Sequence, residues 1–350
     1  MEAAEEHTER IRMIRDSAGA IATSGDLKRV RALRYREPAF DRAVWRQMCE
    51  LGWVALRIPE AAGGSGLGMR EYCALAEECG AGLLPEPLVP CSLAARVLKG
   101  AELERLIAGD TIIIPAWQER ANSLALAGDT TFRDGRLSGR KVFVPMAAGA
   151  DAFLVSAEGG LGLVARDAVS LTIDRTQDGG HHGTITFDNA SAEPVAGDLA
   201  EAVEEATLAT AAYLLGVMER AFAMTLTYLK TRQQFGKPIG SFQALAHRAA
   251  DLKIQVALTR ASVEAAAVTL DTSSVAAIRR AAVSRAKARA SDAAMRVTRE
   301  AIQLHGGIGY TDEYDVGLYL RKAMVLANLF GSAALHRARY AELATEDDDD

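Results

Sequence analysis

The chain has 350 residues, 49% hydrophobic and 25% charged, with a formal net charge of −6. That length holds two or three domains with sizeable cores, and the acidic balance excludes the basic footprint of a nucleic-acid binder. Cys49, Cys73, Cys79 and Cys91 contain no C-x-x-C pair, so they read as buried free thiols of a reducing, cytoplasmic compartment and not as a zinc site or disulfide framework. The opening MEAAEEHTER is charged and lacks an apolar h-region, so no secretory signal is expected. No uncharged apolar run approaches a membrane span.

The pattern predicts an α+β chain. Residues 1–110 read as a helical domain, with helices over Glu2–Ala22, Asp41–Leu51, Met69–Cys79 and Ser92–Leu98. Pro59 and Gly63, Gly64, Gly66 and Gly68 mark a connecting loop, because no strand-then-helix frame surrounds them. Residues 111–197 read as a small antiparallel sheet domain. Its strands are predicted at Thr111–Pro115, Ser123–Ala127, Lys141–Val144, Ala152–Ala157, Leu161–Ala165, Val169–Ile173 and Gly183–Phe187. His181 and His182 fall in a Gly-rich turn and are expected to be solvated, since adjacent strand residues cannot both face one metal.

Residues 198–345 read as a four-helix bundle, with 346–350 a solvated acidic tail. Ala206–Met218 is apolar on two faces, as a helix buried inside a bundle must be. Helices follow at Phe242–Leu270, Val275–Leu304 and Tyr319–Ala344. Arg279, Arg280, Arg285, Lys287 and Arg289 are expected on a solvated face. Between the first two helices runs YLKTRQQFGKPIGSFQ. Arg232, Gln234, Phe235 and Gly236 form an R-x-Q-F-G turn before a new helix start. A forked guanidinium beside free helix amides can hold a phosphate, and an ordinary helix-end arginine fits the same residues.

Four stretches, in order, resemble the flavin-dependent acyl-CoA dehydrogenase family. They are LGWVALRIPEAAGGSGLG with LLPEPL, LSGRKVFVPMAAGADAFLV, TRQQFGKPIGSFQAL and QLHGGIGYTDEY. The resemblance covers nearly the whole chain. It implies an N-terminal helical domain, a middle antiparallel β-barrel-like domain and a C-terminal four-helix bundle through which dimers of dimers form, with FAD bound across a subunit interface. It also implies an electron-transfer flavoprotein as acceptor. The family's chemistry needs a carboxylate to remove the proton beside the thioester carbonyl, a flavin as hydride acceptor, and donors to the thioester oxygen.

The same resemblance implies that one set of flavin contacts is kept and another lost. Arg232 matches the arginine that reaches a neighbouring subunit's pyrophosphate, with Gln234 and Phe235 beside it and Gln243 a weaker match. Gln303, Gly306 and Gly307 match the Q-x-x-G-G turn near the adenosine. The subunit's own flavin set is replaced. IPAWQERANSLAL stands where the T-E-x-x-x-G-S-D segment is expected, and Val142, Phe143, Val144, Pro145 and Met146 replace the W-x-x-T-N stretch. Phe330 occupies the Y-E-G-T base position, Ala206 the alternative base position, and Thr207 the place of an arginine near the substrate.

Three readings follow. The chain completes the active site of a different, catalytic subunit, as in short partner subunits of heteromeric α2β2 acyl-CoA dehydrogenases, including those acting on steroid side-chain CoA thioesters. Or it is a homomeric dehydrogenase with a displaced base, Glu204 or Glu205. Or it is a non-redox scaffold of the same fold.

Overall fold

The computed structural model describes residues 2–23 and 25–344. The predicted acidic tail lies outside them. Two compact units emerge, one from Met1–Leu27, Cys73–Leu84 and Thr207–Asp350, the other from Lys28–Tyr72 and Pro85–Ala206.

In chain order the helices begin with α1 (Glu2–Ile21), α2 (Lys28–Leu33), α3 (Arg42–Glu50), α4 (Met69–Ala81), α5 (Leu88–Ala95) and α6 (Gly100–Ile107). Asp41 caps α3 by accepting Ala43 N–H at 2.8 Å. Helix α5 starts four residues before the predicted Ser92, because proline is tolerated in a first turn whose N–H groups need no helical partner. Strands follow: β1 (Ile113–Ala116), β2 (Thr131–Arg133), β3 (Arg136–Pro145), β4 (Ala152–Ala157), β5 (Gly160–Ala165), β6 (Ser170–Arg175), β7 (His181–Ser191) and β8 (Glu193–Val195).

The β region is two four-stranded sheets, β1-β4-β5-β8 and β2-β3-β7-β6, and neither closes into a barrel. Pairing is antiparallel except β1 with β4, which run parallel from Ile113↔Ala152. The turn after β4 joins the sheets: Phe132 N–H donates to Glu158 O and Glu158 N–H to Thr130 O, both at 2.8 Å. The strand predicted at Ser123–Ala127 is absent. Glu119 accepts from the N–H groups of Asp129 and Thr130, closing the intervening residues into a loop. His181 is a buried strand residue, not a solvated one. Its Nε2 accepts Ala148 N–H at 2.9 Å, which satisfies the ring without water.

The helical unit is built on α7 (Ala200–Thr231). A short hairpin, β9 (Gln233–Gln234) and β10 (Lys237–Pro238), leads to α8 (Gln243–Thr272), α9 (Ala276–His305), α10 (Val316–Leu326) and α11 (Ala333–Ala344). Leu208, Ala209, Ala211, Ala212, Leu214 and Val217 are wholly buried, as the two-faced apolar pattern requires. Glycines let α7 approach α4 closely. A Cβ on Gly216 would sit 1.8 Å from Glu77 O, and one on Gly80 would sit 2.0 Å from Tyr213 O. Glu77 pairs there with both Arg15 and Arg260. The predicted fourth helix is interrupted. Phe330 and Gly331 take positive φ, 57° and 101°, so α10 ends and α11 starts anew.

All four cysteines are buried and free. Burial, with Glu50 and Asp110 adding to it, pushes the Cys49 thiol up to about 12, so it stays protonated and inert. Among the described residues no helix is long and apolar enough to cross a membrane, and no His/Cys/Asp/Glu group is arranged to hold a metal.

Candidate functional site

The two retained motifs meet at one end of the helical unit. After α7 the chain turns back through Phe235 and Gly236, both at positive φ (54° and 77°), in a two-residue hairpin pairing Lys237 with Gln234. Such a loop suits glycine and strains phenylalanine, yet the Phe235 ring is 90% exposed and gains no core contact in return. It makes an edge-to-face contact with Phe242, whose ring also carries the Lys237 ammonium at 4.4 Å. Ile239 N–H closes the arm on Arg232 O at 2.8 Å. Arg232 is exposed, and its guanidinium has no hydrogen bond or ion pair among the described residues. Gln234 is exposed, with its amide on Gln233 O. Gln243 is exposed at the first position of α8, which Phe242 caps with no side chain.

The second motif ends α9. Gln303 is exposed, and its carbonyl takes the capping N–H of Gly306. Gly306 has φ 64°, and a Cβ on Gly306 or Gly307 would meet nothing within 4 Å. Open space above two bare backbone units is what a closely approaching ligand requires. Unpaired cation, exposed amides and open glycine backbone fit the phosphate and adenosine side of a dinucleotide.

Phe330 and Ala206, which the family resemblance sets at base positions, have a different character. Phe330 is 3% exposed in a turn that polar side chains from α9 and α11 hold shut. Lys287 Nζ donates to Leu326 O, Ala327 O, Gly331 O and Ser291 Oγ at 3.0–3.2 Å. His336 Nε2 donates to Phe330 O at 2.8 Å. Lys287 was expected on a solvated face and is instead wholly buried. The broken helix leaves carbonyls with no helical N–H, and an ammonium supplies the missing donors. Burial pushes Lys287 down to about 7 and His336 down to about 3, so the histidine is neutral. No residue pattern marked this network, because a lysine's partners here are backbone carbonyls.

Ala206 is buried in α7 and carries no titratable group. Glu205 beside it is bound by Arg57 at 2.7 Å and Arg96 at 3.0 Å. Two guanidiniums already occupy the oxygens of that carboxylate, which ties it into an ion-pair network. Glu204 and Thr207 are buried on the same helix.

Around the replaced flavin segment, Lys141 is fully buried, with Nζ on Glu119 at 2.7 Å and Trp117 O at 3.1 Å. Burial raises the Glu119 carboxyl, but hydrogen bonds from Lys141, Thr130 and Asp129 outweigh it and hold the group at about 2. Val142 donates its N–H to Gln118 O. The ring on this segment is Phe143, 41% exposed, at φ 56° and edge-to-face with His182. Val144 is buried, and Pro145 pairs with His182 at the strand end.

Known proteins share this architecture. Residues 8–99 match the acyl-CoA dehydrogenase N-terminal domain and residues 199–344 the C-terminal domain. The acyl-CoA dehydrogenase IpdE2 of Mycolicibacterium smegmatis is 35% identical, over 86% of this chain and 88% of that protein. IpdE2 of Mycobacterium tuberculosis is 33% identical over 91% and 92%. The steroid acyl-CoA dehydrogenase Tcur3481-Tcur3483 superposes with a TM-score of 0.86 at 30% identity, covering 99% of both chains. A chain of the ChsE4-ChsE5 complex from Mycobacterium tuberculosis gives 0.83 at 27% identity, covering 95% and 97%. In sequence and fold alike, the chain belongs to the acyl-CoA dehydrogenase family of FAD-dependent oxidoreductases.

Proposed function

We propose that this chain is the partner subunit of a heteromeric acyl-CoA dehydrogenase that desaturates an acyl-CoA thioester between its α and β carbons. Its role is to complete the FAD site of a catalytic subunit and not to remove the substrate proton itself. One observation carries this reading. Arg232, Gln234, Phe235, Gln303, Gly306 and Gly307 are all exposed at one end of the unit, while Phe330, which the family resemblance sets at the base position, is buried. A surface of unpaired donors and bare backbone suits a ligand shared with another chain. A phenyl ring takes up no proton at any pH.

In the complex, Arg232 would balance pyrophosphate charge, and Gln303 with the backbone of Gly306 and Gly307 would contact the adenosine side. Gln243 stands as a further contact. Bound FAD supplies the two-electron acceptor for desaturation, and an electron-transfer flavoprotein is the expected next carrier. The steroid enzyme Tcur3481-Tcur3483 supports a steroid-type acyl group, and the ChsE4-ChsE5 complex of the same fold supports a heteromeric partner. The Glu205 pairing with Arg57 and Arg96 argues against the displaced-base reading.

Expression of the chain alone should give a colourless protein without acyl-CoA turnover. Co-expression with an acyl-CoA dehydrogenase that carries Y-E-G-T should give a yellow mixed oligomer, and Arg232→Ala in that oligomer should lower its flavin content. A yellow, active lone chain would end this reading. Flavin content untouched by Arg232→Ala would remove Arg232 from the pyrophosphate.

A further inference from the structure

Tyr228 lies on α7 one turn before Arg232, and His305 is the last residue of α9, between Gln303 and Gly306. Their rings stack with centroids 4.6 Å apart and planes 30° from parallel. Tyr314, in the segment leading to α10, closes on His305 at 4.8 Å and on Tyr228 at 6.3 Å. The imidazole is 2% exposed. Its Nδ1–H donates to Ala301 O at 2.7 Å, which fixes tautomer and ring plane together. Nε2 is then a buried acceptor with no hydrogen-bond partner among the described residues. Desolvation lowers the imidazole's proton affinity and keeps the ring neutral.

An unsatisfied buried nitrogen costs stability, and a phenylalanine would fill the space without that cost. The ring's neighbours explain its place. Arg232 and Gln303 are 71 positions apart in sequence, and the Tyr228–His305 stack is where the helices bearing them meet. The hairpin beyond Arg232 is exposed throughout its strands, so the direction of the arm is inherited from the last turn of α7.

We propose that His305, clamped between Tyr228 and Tyr314, is the positioning residue that holds the Arg232 arm and the Gln303–Gly307 turn in register to grip one FAD. This rests on the cofactor reading given above. His305 acts through its neighbours and touches no reacting atom. The stack gives the arm a fixed origin, so less conformational freedom is lost when the cofactor binds.

The test uses the co-purified complex and follows FAD release by recovery of flavin fluorescence, at a temperature well below unfolding. His305→Ala removes both ring contacts and should speed release about tenfold. His305→Phe keeps the stack without either ring nitrogen and should restore release to within about twofold of wild type. A merely structural role would shift melting temperature without this split. If His305→Ala does not assemble, Tyr314→Leu opens the half-buried side of the stack and carries the same expectation. Wild-type release from His305→Ala or from Tyr314→Leu would overturn the inference, as would His305→Phe as leaky as His305→Ala. Arg232→Ala separates the two levels. If it too leaves FAD in place, the cofactor reading falls, and if it alone loses FAD, only the positioning role falls.

Discussion

Replacing Lys287 with methionine tests the account of the broken helix at the base position. The ammonium is wholly buried and donates to three carbonyls and one hydroxyl. Burial lowers its pKa from 10.5 to about 7. The unfolded chain therefore holds more protons than the folded one between these values. Wild-type stability rises with pH through that window by about 1.4 kcal/mol per unit. Below about 7 both states are protonated, and the fold bears the full cost of the buried charge. The neighbouring His336 does not titrate there, because burial holds it near 3. Near pH 9 the amine is neutral with two N–H to give, and Ser291 Oγ still donates to Ala327 O, so Lys287→Met leaves the Leu326 and Gly331 carbonyls short of a donor, worth about 2–3 kcal/mol. Near pH 6.5 the wild type has lost about the same amount to its buried charge, so the two proteins should be nearly equal. Urea unfolding followed by far-UV circular dichroism at both pH values reads the difference directly. A mutational cost independent of pH would refute the reasoning.

Other perturbations test separate elements. Gly216→Ala places a Cβ within 1.8 Å of Glu77 O and should cost about 3 kcal/mol, seen as a lower melting temperature; an unchanged melt would mean that α4 and α7 can part freely. Glu205→Gln should weaken the pairing with Arg57 and Arg96 yet leave turnover per bound FAD of the complex unchanged; about a thousandfold loss would instead mark it as the base. Glu119 is held at about 2, so its contribution is present above about 4.5 and lost as pH falls through about 2. Glu119→Gln should flatten that acid limb by about 1–2 kcal/mol after solvent screening, and an acid titration as steep as wild type would show that the Lys141 pairing contributes nothing.

Polar donors at this base position serve the backbone and leave the side chain to packing. Lys287 and His336 bind carbonyls of residues 326, 327, 330 and 331. These bonds go to main-chain oxygens, so the hold on the turn does not run through the polar chemistry of the side chain at 330. Glu205 follows the opposite logic. Its side-chain oxygens are what two guanidiniums bind, so the group serves structure.

The order of helical, β and helical segments was legible because periodicity 3.6 and periodicity 2 are local properties of a chain. So were the arm and the glycine turn, since positive φ at Gly236 and the capping geometry of Gly306 are written in residue types. The Ser123–Ala127 strand, the solvated His181 and the solvated Lys287 were misplaced for one shared reason. Each was decided by hydrogen bonds to residues distant in sequence: Glu119 to Asp129 and Thr130, His181 to Ala148, and Lys287 to carbonyls about 40 positions away. The Tyr228–His305–Tyr314 stack is of the same kind, as is the pairing of Glu205 with Arg57 and Arg96. By itself the sequence determined the order of helical, β and helical segments and the sharp turns at Gly236 and Gly306. The tertiary structure alone decided which charges are buried and what they bind, because the cost of burying a charge is set by neighbours that only folding brings together.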